Sequence, residues 1–398
     1  MAIGGGRGVE SQSRPGTPAL MRALNDRTAL TLLLERGPLT RTRLGELTGL
    51  SKPTASQVVT RLESAGLIGP VGVEPAARGP QAAIYGVRAR DEHAVAIDVR
   101  PQAVTATLVD ATGAEHPVAE VALPRAAADR SATGDVRAGI AAACAAAGVD
   151  PATVVEAVVG LQGAVDPRTD DLTFTGLLPG WPRRSTRARL EEVLGVTVRI
   201  DNDANLAAVA ERAAGVAGGA GGFALLWMGE GLGVAVDLGG VLHRGAGGGA
   251  GEIGYLPVPR AAVELDPAAV DMQDLLGGTG VSRLARAHGA RGRTLDALLA
   301  ALVDLPHRRD ALRDLARRIA LGVIPVLAVL DPPLVVLGGP TGAAGGEELA
   351  DEVRAHIRRV SRWSPHVAAT AVPDHPVIHG ARTLAVADLR DRLLSRIP

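Results

Sequence analysis

Apolar residues recur at helical spacing near the start of the chain, and from about residue 93 the pattern changes to alternating strand-like and helix-like runs. Leu20, Leu24, Leu30, Leu33 and Leu34 predict a first helix over Leu20–Gly37, closed by Gly37-Pro38 because proline cannot continue it. Thr40 caps a short second helix that turns Leu44 and Leu47 inward and stops at Gly49. Ser51 caps a third helix, with Pro53 in the first turn where a missing N–H costs nothing. In it Ala55, Val58, Val59 and Leu62 fall at i, i+3, i+4 and i+7, which makes one buried stripe. Two strands, Leu67–Val73 and Ala82–Val87, follow, joined by a Gly- and Pro-containing tip that presents Arg78.

Further on, strands are predicted at His93–Val99, Ala103–Asp110, Val154–Leu161, Val196–Ile200, Phe223–Met228, Gly233–Leu238 and Leu334–Leu337. Helices are predicted at Val136–Ala147, Ala204–Ala214, Ala311–Leu330 and Glu347–Arg359. Gly-rich loops follow the strand ends, where α/β folds place ligands.

Length and composition narrow the class. A chain of 398 residues has room for two or three compact units, and 46% apolar with 21% charged residues is globular. Aromatic residues are only 2%, so Leu, Val, Ile and Ala must fill the cores. The net charge of -1 hides an asymmetry: Leu20–Arg88 holds nine basic and five acidic residues, and the chain from Ala89 onward holds 31 and 37. A basic excess confined to the smaller segment suits contact with phosphates. Cys144 is the only cysteine and sits in an Ala-rich run, so an internal disulfide or thiolate zinc cluster is excluded and a buried thiol is expected. Met1–Thr17 lacks the apolar stretch of a signal peptide, and no run reaches the ~18 residues of a membrane span. The expected location is the cytoplasm.

The third helix carries the first candidate chemistry. Its outer face shows Lys52, Thr54, Ser56, Gln57, Thr60 and Arg61, short hydrogen-bonding or cationic side chains suited to base edges and phosphates in a major groove. Helix, the Gly49-Leu50-Ser51 turn and helix have the spacing of a helix-turn-helix. The hairpin reads as a wing that offers Arg78 to a minor groove. The alternative is a small helical adaptor whose polar face is merely solvated.

Several short runs then occur in one order: Gly160-Leu-Gln-Gly163 with Val165-Asp166, Leu178-Pro-Gly-Trp181, Asp201-Asn-Asp-Ala-Asn205, Gly229-Glu-Gly-Leu-Gly233, Gly251-Glu-Ile-Gly254 and Pro333-Leu-Val-Val-Leu-Gly-Gly339. Each run alone is weak. In this order, behind a winged helix, the chain from about residue 20 resembles the ROK family (repressor, open reading frame, kinase) in its regulator branch. The resemblance implies an α/β architecture: a winged helix-turn-helix plus a two-lobed, actin-like (ribonuclease-H-like) sugar-kinase domain. The expected division is a flexible stretch 1–19, a DNA-binding domain 20–88, and an effector and dimerisation domain 89–398 with lobes of about 89–205 and 206–398.

By the same resemblance Asn202 and Asp203 would bond sugar hydroxyls, with Asp203 at the place of the kinase's catalytic base, and Glu252 and Tyr255 would face the sugar. Read from the residues alone, Asn202 and Asp203 could equally cap the helix at Ala204, and Glu252 could support a turn. Two departures separate this chain from the family's kinases. Asp98-Val99-Arg100-Pro101 stands where a Gly-rich run approaches the ATP phosphates, and Glu230 stands where a threonine is expected. Tyr255 replaces the histidine of the sugar motif, and no cysteine follows it, so the family's zinc site is missing. The reading is a homodimeric regulator, a repressor, on an inverted-repeat DNA operator, answering to a sugar-type effector, with no metal, no cofactor and no kinase activity. Two rival readings are an active hexokinase with a DNA-binding head, and a regulator whose second domain is only a dimerisation scaffold.

Overall fold

The computed structural model describes residues 17–74, 81–88, 92–124, 126–174 and 178–397. The chain divides into two compact units, Met1–Asp91 with Asp388–Pro398, and Glu92–Ala387. The last residues of the chain thus group with the first unit, whereas the sequence assigned everything after 88 to the second.

The first unit runs α1 (Pro18–Arg36), β1 (Leu39–Thr40), α2 (Arg41–Thr48), α3 (Lys52–Ser64), β2 (Ile68–Glu74) and β3 (Ala82–Val87). The caps are local hydrogen bonds. Thr40 Oγ1 accepts from Arg43 N at 3.3 Å, and Ser51 Oγ accepts from Thr54 N at 3.4 Å. Gly49 ends α2 in the left-handed region at φ 70°, the conformation that favours glycine. Ala55, Val58, Val59 and Leu62 form the buried stripe of α3, as their spacing predicts. They pack with Leu30, Leu33, Leu34 and Leu44.

Leu47, expected inward, is 40% exposed, and the apolar positions Leu20 and Leu24 of α1 are 62% and 53% exposed. The helix already begins at Pro18, and α3, with 13 residues, covers only part of the 19 residues of α1; burial in α1 starts at Asp26. The strands β1, β3 and β2 form one antiparallel sheet in that order, with Ile68 opposite Val87. Arg78, expected at the wing tip, lies outside the described residues.

The second unit contains two five-stranded sheets. The first is built from β4 (His93–Val99), β5 (Ala103–Val109), β6 (Val118–Ala122), β7 (Val154–Leu161) and, after the two-stranded β8 (Ala164–Val165) and β9 (Leu172–Thr173), β10 (Thr197–Asn202). Its order is β10-β7-β4-β5-β6, and α4 (Ala132–Ala147) and α5 (Thr186–Leu194) accompany it. After α6 (Asp203–Ala214) the second sheet follows, with β11 (Gly222–Met228), β12 (Leu232–Leu238), β13 (Val241–Leu242), β14 (Leu334–Gly338) and β15 (His366–Ala369) in the order β13-β12-β11-β14-β15. Between and after these strands lie α7 (Met272–Leu276), α8 (Gly278–Ala287), α9 (Leu295–Val303), α10 (Arg308–Leu330), α11 (Gly339–Val360) and α12 (Pro376–Ser395), whose residues from Asp388 onward belong to the first unit.

Counted from its own first strand, each sheet has the same order, 3-2-1-4-5. The first three strands are antiparallel, and the fourth and fifth are parallel to the first. Every residue of β11 and β14 is buried, as expected of strands covered on both faces. One polar cluster is sealed into the first lobe: Arg130 and Trp181 both bond the Asp135 carboxylate, at 2.8 Å each for Nη2 and Nε1. That pairing gives Trp181 of the Leu178-Pro-Gly-Trp181 run a structural role. The Cys144 thiol is buried in α4.

Candidate functional site

Strand ends of both sheets converge within the second unit. The ends of β4, β7 and β10 bring Asp98, Gln162 and Asn202 together, and the end of β11 adds Trp227. A cavity of about 270 Å³ is lined by Gln162, Asp203, Trp227, Glu252, Tyr255 and Asp271 among others. Gln162, Asp203 and Trp227 also line a second cavity of about 780 Å³ beside Arg100 and Glu230. Small-molecule sites usually enclose ~300–1,000 Å³, so the first is a pocket for something small.

The Asp201–Asn205 run divides its work. Asp201 is buried and pairs with Arg244, Nη2 to Oδ2 at 2.5 Å, and accepts from Asn205 Nδ2 at 3.1 Å. Asn202 is the cap of α6: its Oδ1 accepts from Ala204 N (2.9 Å) and Asn205 N (3.3 Å), and its Nδ2 donates to Gly163 O at 3.0 Å. That leaves one amide hydrogen of Asn202 for the pocket it lines. Asp203 Oδ1 accepts from Ala204 N at 2.8 Å. Capping and pocket-lining are therefore joint properties of these two residues, not alternatives.

Glu252 owes its position to Gly251. Gly251 has φ 89°, and a Cβ there would stand 1.7 Å from the Val234 carbonyl oxygen, so the chain lies directly on β12. Its own carbonyl accepts from Val234 N at 2.8 Å. Tyr255 packs on Phe174 with ring centroids 4.9 Å apart.

The charge balance of the cleft is unusual. Burial raises the Asp203 carboxyl to about 8, helped first by Asp98 and then by Glu252, and opposed by the Ala204 N–H. Burial alone raises Glu252 to about 7. Asp98 rises to about 6 through burial, with Arg100 opposing and Glu120 adding to it. The Trp227 indole N–H lies near enough to Asp203 to hold its pKa down somewhat, yet it finds no partner of hydrogen-bond geometry, and neither does Gln162 Oε1.

The loops after β4 and β11 are held by contacts within the protein. Arg100 Nη2 donates to Glu120 at 2.5 Å and to Thr105 Oγ1 at 2.9 Å. Arg100 N is taken by Ala103 O at 2.9 Å, and Pro101 has no N–H to offer. The Glu230 carboxylate lies over the start of α8, where it would stand 2.7 Å from a Cβ on Gly278; burial and Asp296 raise its pKa. Among the described residues no group of three or more His, Cys, Asp or Glu is arranged to hold a metal ion.

In the first unit, Lys52 and Gln57 on α3 are exposed and Thr54 and Ser56 half-buried. Arg61 departs from the expectation of a free, groove-facing cation. Its Nε and Nη2 bond Asp26 at 2.8 and 2.6 Å, and Asp26 is only 1% exposed. A buried carboxylate 35 residues away in the chain holds the guanidinium, whose side chain keeps 29% of its surface exposed. Sequence reading also passed over Trp227, Phe174, Asp271 and Gln273 as pocket residues, and it treated Gln162 only as part of a motif. The scarcity of aromatics does not single out Trp227 and Phe174, since Tyr85, Trp181 and Phe223 are buried in the cores.

A winged helix ahead of two like-ordered sheets around a polar cleft defines a winged-helix head on an actin-like sugar-kinase fold. The family model described as ROK family matches residues 94–387, about three quarters of the 398, and one described as MarR family matches 24–78. This chain belongs to the ROK family.

Among curated relatives, the bifunctional enzyme NanE/NanK of Brucella suis is 33% identical over 187 residues, covering 46% of this chain and 34% of that protein. The chain thus spans about a third of that relative's length. The xylose repressor of Bacillus spizizenii is 24% identical, covering 60% of this chain and 61% of the repressor. A solved ROK family transcriptional regulator, a homologue of the E. coli MLC protein, shares the fold with a TM-score of 0.68 at 18% identity, over 95% of this chain and 99% of its own. A ROK family glucokinase from Streptomyces griseus, solved with glucose and AMPPNP, has a TM-score of 0.61 at 24% identity, over 74% and 99%. No helix among the described residues is long and apolar enough to cross a membrane.

Proposed function

We propose that this protein is a DNA-binding transcriptional regulator, acting as a repressor, whose kinase-fold unit binds a sugar-type effector and transfers no phosphate. One contrast carries the reading. Beside the larger cavity Arg100 is already paired with Glu120, Pro101 has no N–H to give and Glu230 adds a carboxylate, while the smaller cavity keeps the Asp203 and Glu252 carboxyls and the Gln162 and Asn202 amides on its lining. Phosphoryl transfer depends on positioning and on stabilising charge. A Glu230 carboxylate facing a nucleotide's phosphates acts against both.

On this reading a homodimer presents α3 of each protomer to a major groove, with Lys52 on phosphate and Thr54, Ser56 and Gln57 toward base edges, and half-sites form an inverted repeat. The effector shifts DNA affinity only through its differential affinity for two arrangements of the protein, a coupling of about 1–3 kcal/mol. The test is operator affinity by fluorescence anisotropy, with and without sugars, in wild type and Glu252→Ala. A sugar should weaken wild-type binding roughly 5- to 150-fold and leave Glu252→Ala unaffected. If no sugar alters either melting temperature or DNA affinity, the second unit is a scaffold and the effector reading fails. Gln57→Ala should cost about 1–3 kcal/mol on the cognate site and little on random DNA.

A further inference from the structure

The polar lining of the smaller cavity is one-sided. Three carboxylates, Asp203, Glu252 and Asp271, face it together with the amides of Gln162, Asn202 and Gln273, and among the described residues no Arg, Lys or His side chain lines it. Asp203 is 7% exposed and has one oxygen on Ala204 N, which leaves the other toward the cavity. Among the described residues no donor opposes the rise that burial gives Glu252. Among the described residues the adjoining cavity continues the excess: Asp98, Glu120, Glu230 and Asp296 stand against Arg100, which is already paired, and His375.

A second observation points to a ligand rather than a solvated acidic patch. The Trp227 indole N–H, on a side chain 9% exposed that lines both cavities, makes no hydrogen bond of good geometry, although it lies close enough to the Asp203 carboxyl to lower its pKa. It is a buried donor waiting for an oxygen. The Phe174–Tyr255 pair adds two ring faces at the rim, and aromatic faces attract cations.

We propose that this pocket takes a sugar bearing a positively charged amine, a protonated amino sugar, in preference to a neutral or phosphorylated sugar. The ammonium sits among Asp203, Glu252 and Asp271, where charge-assisted hydrogen bonds are about twice as strong as neutral ones. A ring or hydroxyl oxygen accepts from Trp227. A phosphate on the same sugar meets the negative field of the neighbouring cavity. This inference deepens the effector reading and rests on it.

Binding of the cation lowers the pKa of Asp203 and Glu252 and so expels protons. The other titratable or charged groups facing them are Asp98, Tyr255 and Asp271, with Arg100 behind Asp98.

The experiment is isothermal titration calorimetry of the full chain with glucosamine, glucose, N-acetylglucosamine and glucosamine 6-phosphate, at neutral pH in two buffers of different ionisation heat. Glucosamine should bind at least tenfold more tightly than the other three, with proton release seen as a buffer-dependent heat. Glu252→Gln and, separately, Asp271→Asn should each shrink that preference several-fold, and either variant suffices if the other fails to fold. Glucose or N-acetylglucosamine binding as well as glucosamine overturns the charge preference and leaves the effector reading standing. Tightest binding of the phosphorylated sugar overturns the assigned field as well. Absence of binding by all four overturns this proposal, and the sugar-effector reading then stands or falls on the wider sugar panel with operator DNA.

Discussion

Replacing Asp203 with asparagine keeps the side-chain shape and an acceptor for Ala204 N while removing a carboxyl that the folded protein holds at about 8. An ordinary aspartate carboxyl stands at 3.8, so the folded state binds this proton more tightly than the unfolded chain does. Stability from such a raised group is fully present below about pH 4 and is lost as pH rises toward about 8. Each pH unit in that window is worth about 1.4 kcal/mol per proton, which gives about 4 kcal/mol between about pH 5 and pH 8 for an isolated site.

Asp98 and Glu252 interact with Asp203, so part of the proton uptake belongs to the group of three. Halving the figure for that sharing leaves about 2 kcal/mol as the lower bound. The asparagine variant should therefore gain on the wild type by about 2–4 kcal/mol between about pH 5 and pH 8, with no further gain above that. Urea denaturation followed by tryptophan fluorescence reads this directly, because Trp181, Trp227 and Trp363 all lie in the second unit. A gap that stays constant with pH, or that widens toward acid, refutes the assignment of a proton to Asp203.

Other substitutions probe the remaining links. Arg61→Ala should destabilise the first unit by about 2–3 kcal/mol, somewhat below the ~3–5 of a fully buried pair because Arg61 is partly solvated, with far-UV circular dichroism in urea as the readout. Loss of DNA affinity without loss of stability in that variant would return Arg61 to the phosphate backbone. Gly251→Ala should cost at least ~1–2 kcal/mol from the positive φ alone, and its clash with Val234 O should displace Glu252 and abolish any sugar-induced rise in melting temperature. An unchanged sugar response would mean that Glu252 does not depend on this contact. With Mg-ATP and a panel of hexoses the wild type should yield no sugar phosphate above the enzyme-free control; product that disappears on Asp203→Asn would make the protein a kinase.

Much of the architecture is readable from short-range chemistry. The bounds of β3, β4 and β7 coincide with the expected Ala82–Val87, His93–Val99 and Val154–Leu161, because each is an apolar, β-branched run between turn residues. Thr40 and Ser51 cap their helices because the hydroxyl and the N–H it accepts from are three residues apart. Weak or one-sided signals went unread. The edge strand β6 buries only alternate positions, and only partly, while α5, α7, α8, α9, α12 and β15 carry patterns too short or too mixed to separate from loops. The ordered motifs located the cleft, but they did not reveal how labour is divided within it.

That division belongs to the tertiary structure. The sequence by itself places Asn202 and Asp203 at a helix start, Glu252 after a glycine and Arg61 on an amphipathic helix. It does not contain the fact that Asp26, 35 residues before Arg61, is buried beneath it, or that Arg244 neutralises Asp201 while Asp203 receives no cation. Asp98 and Asp203 belong to strand ends more than a hundred residues apart, and their mutual repulsion exists only once β4, β7 and β10 lie side by side. A carboxylate's pKa depends on the water excluded from around it and on the charges brought near it. Neither quantity is a property of the residue or its neighbours in sequence, so only the closed fold sets them.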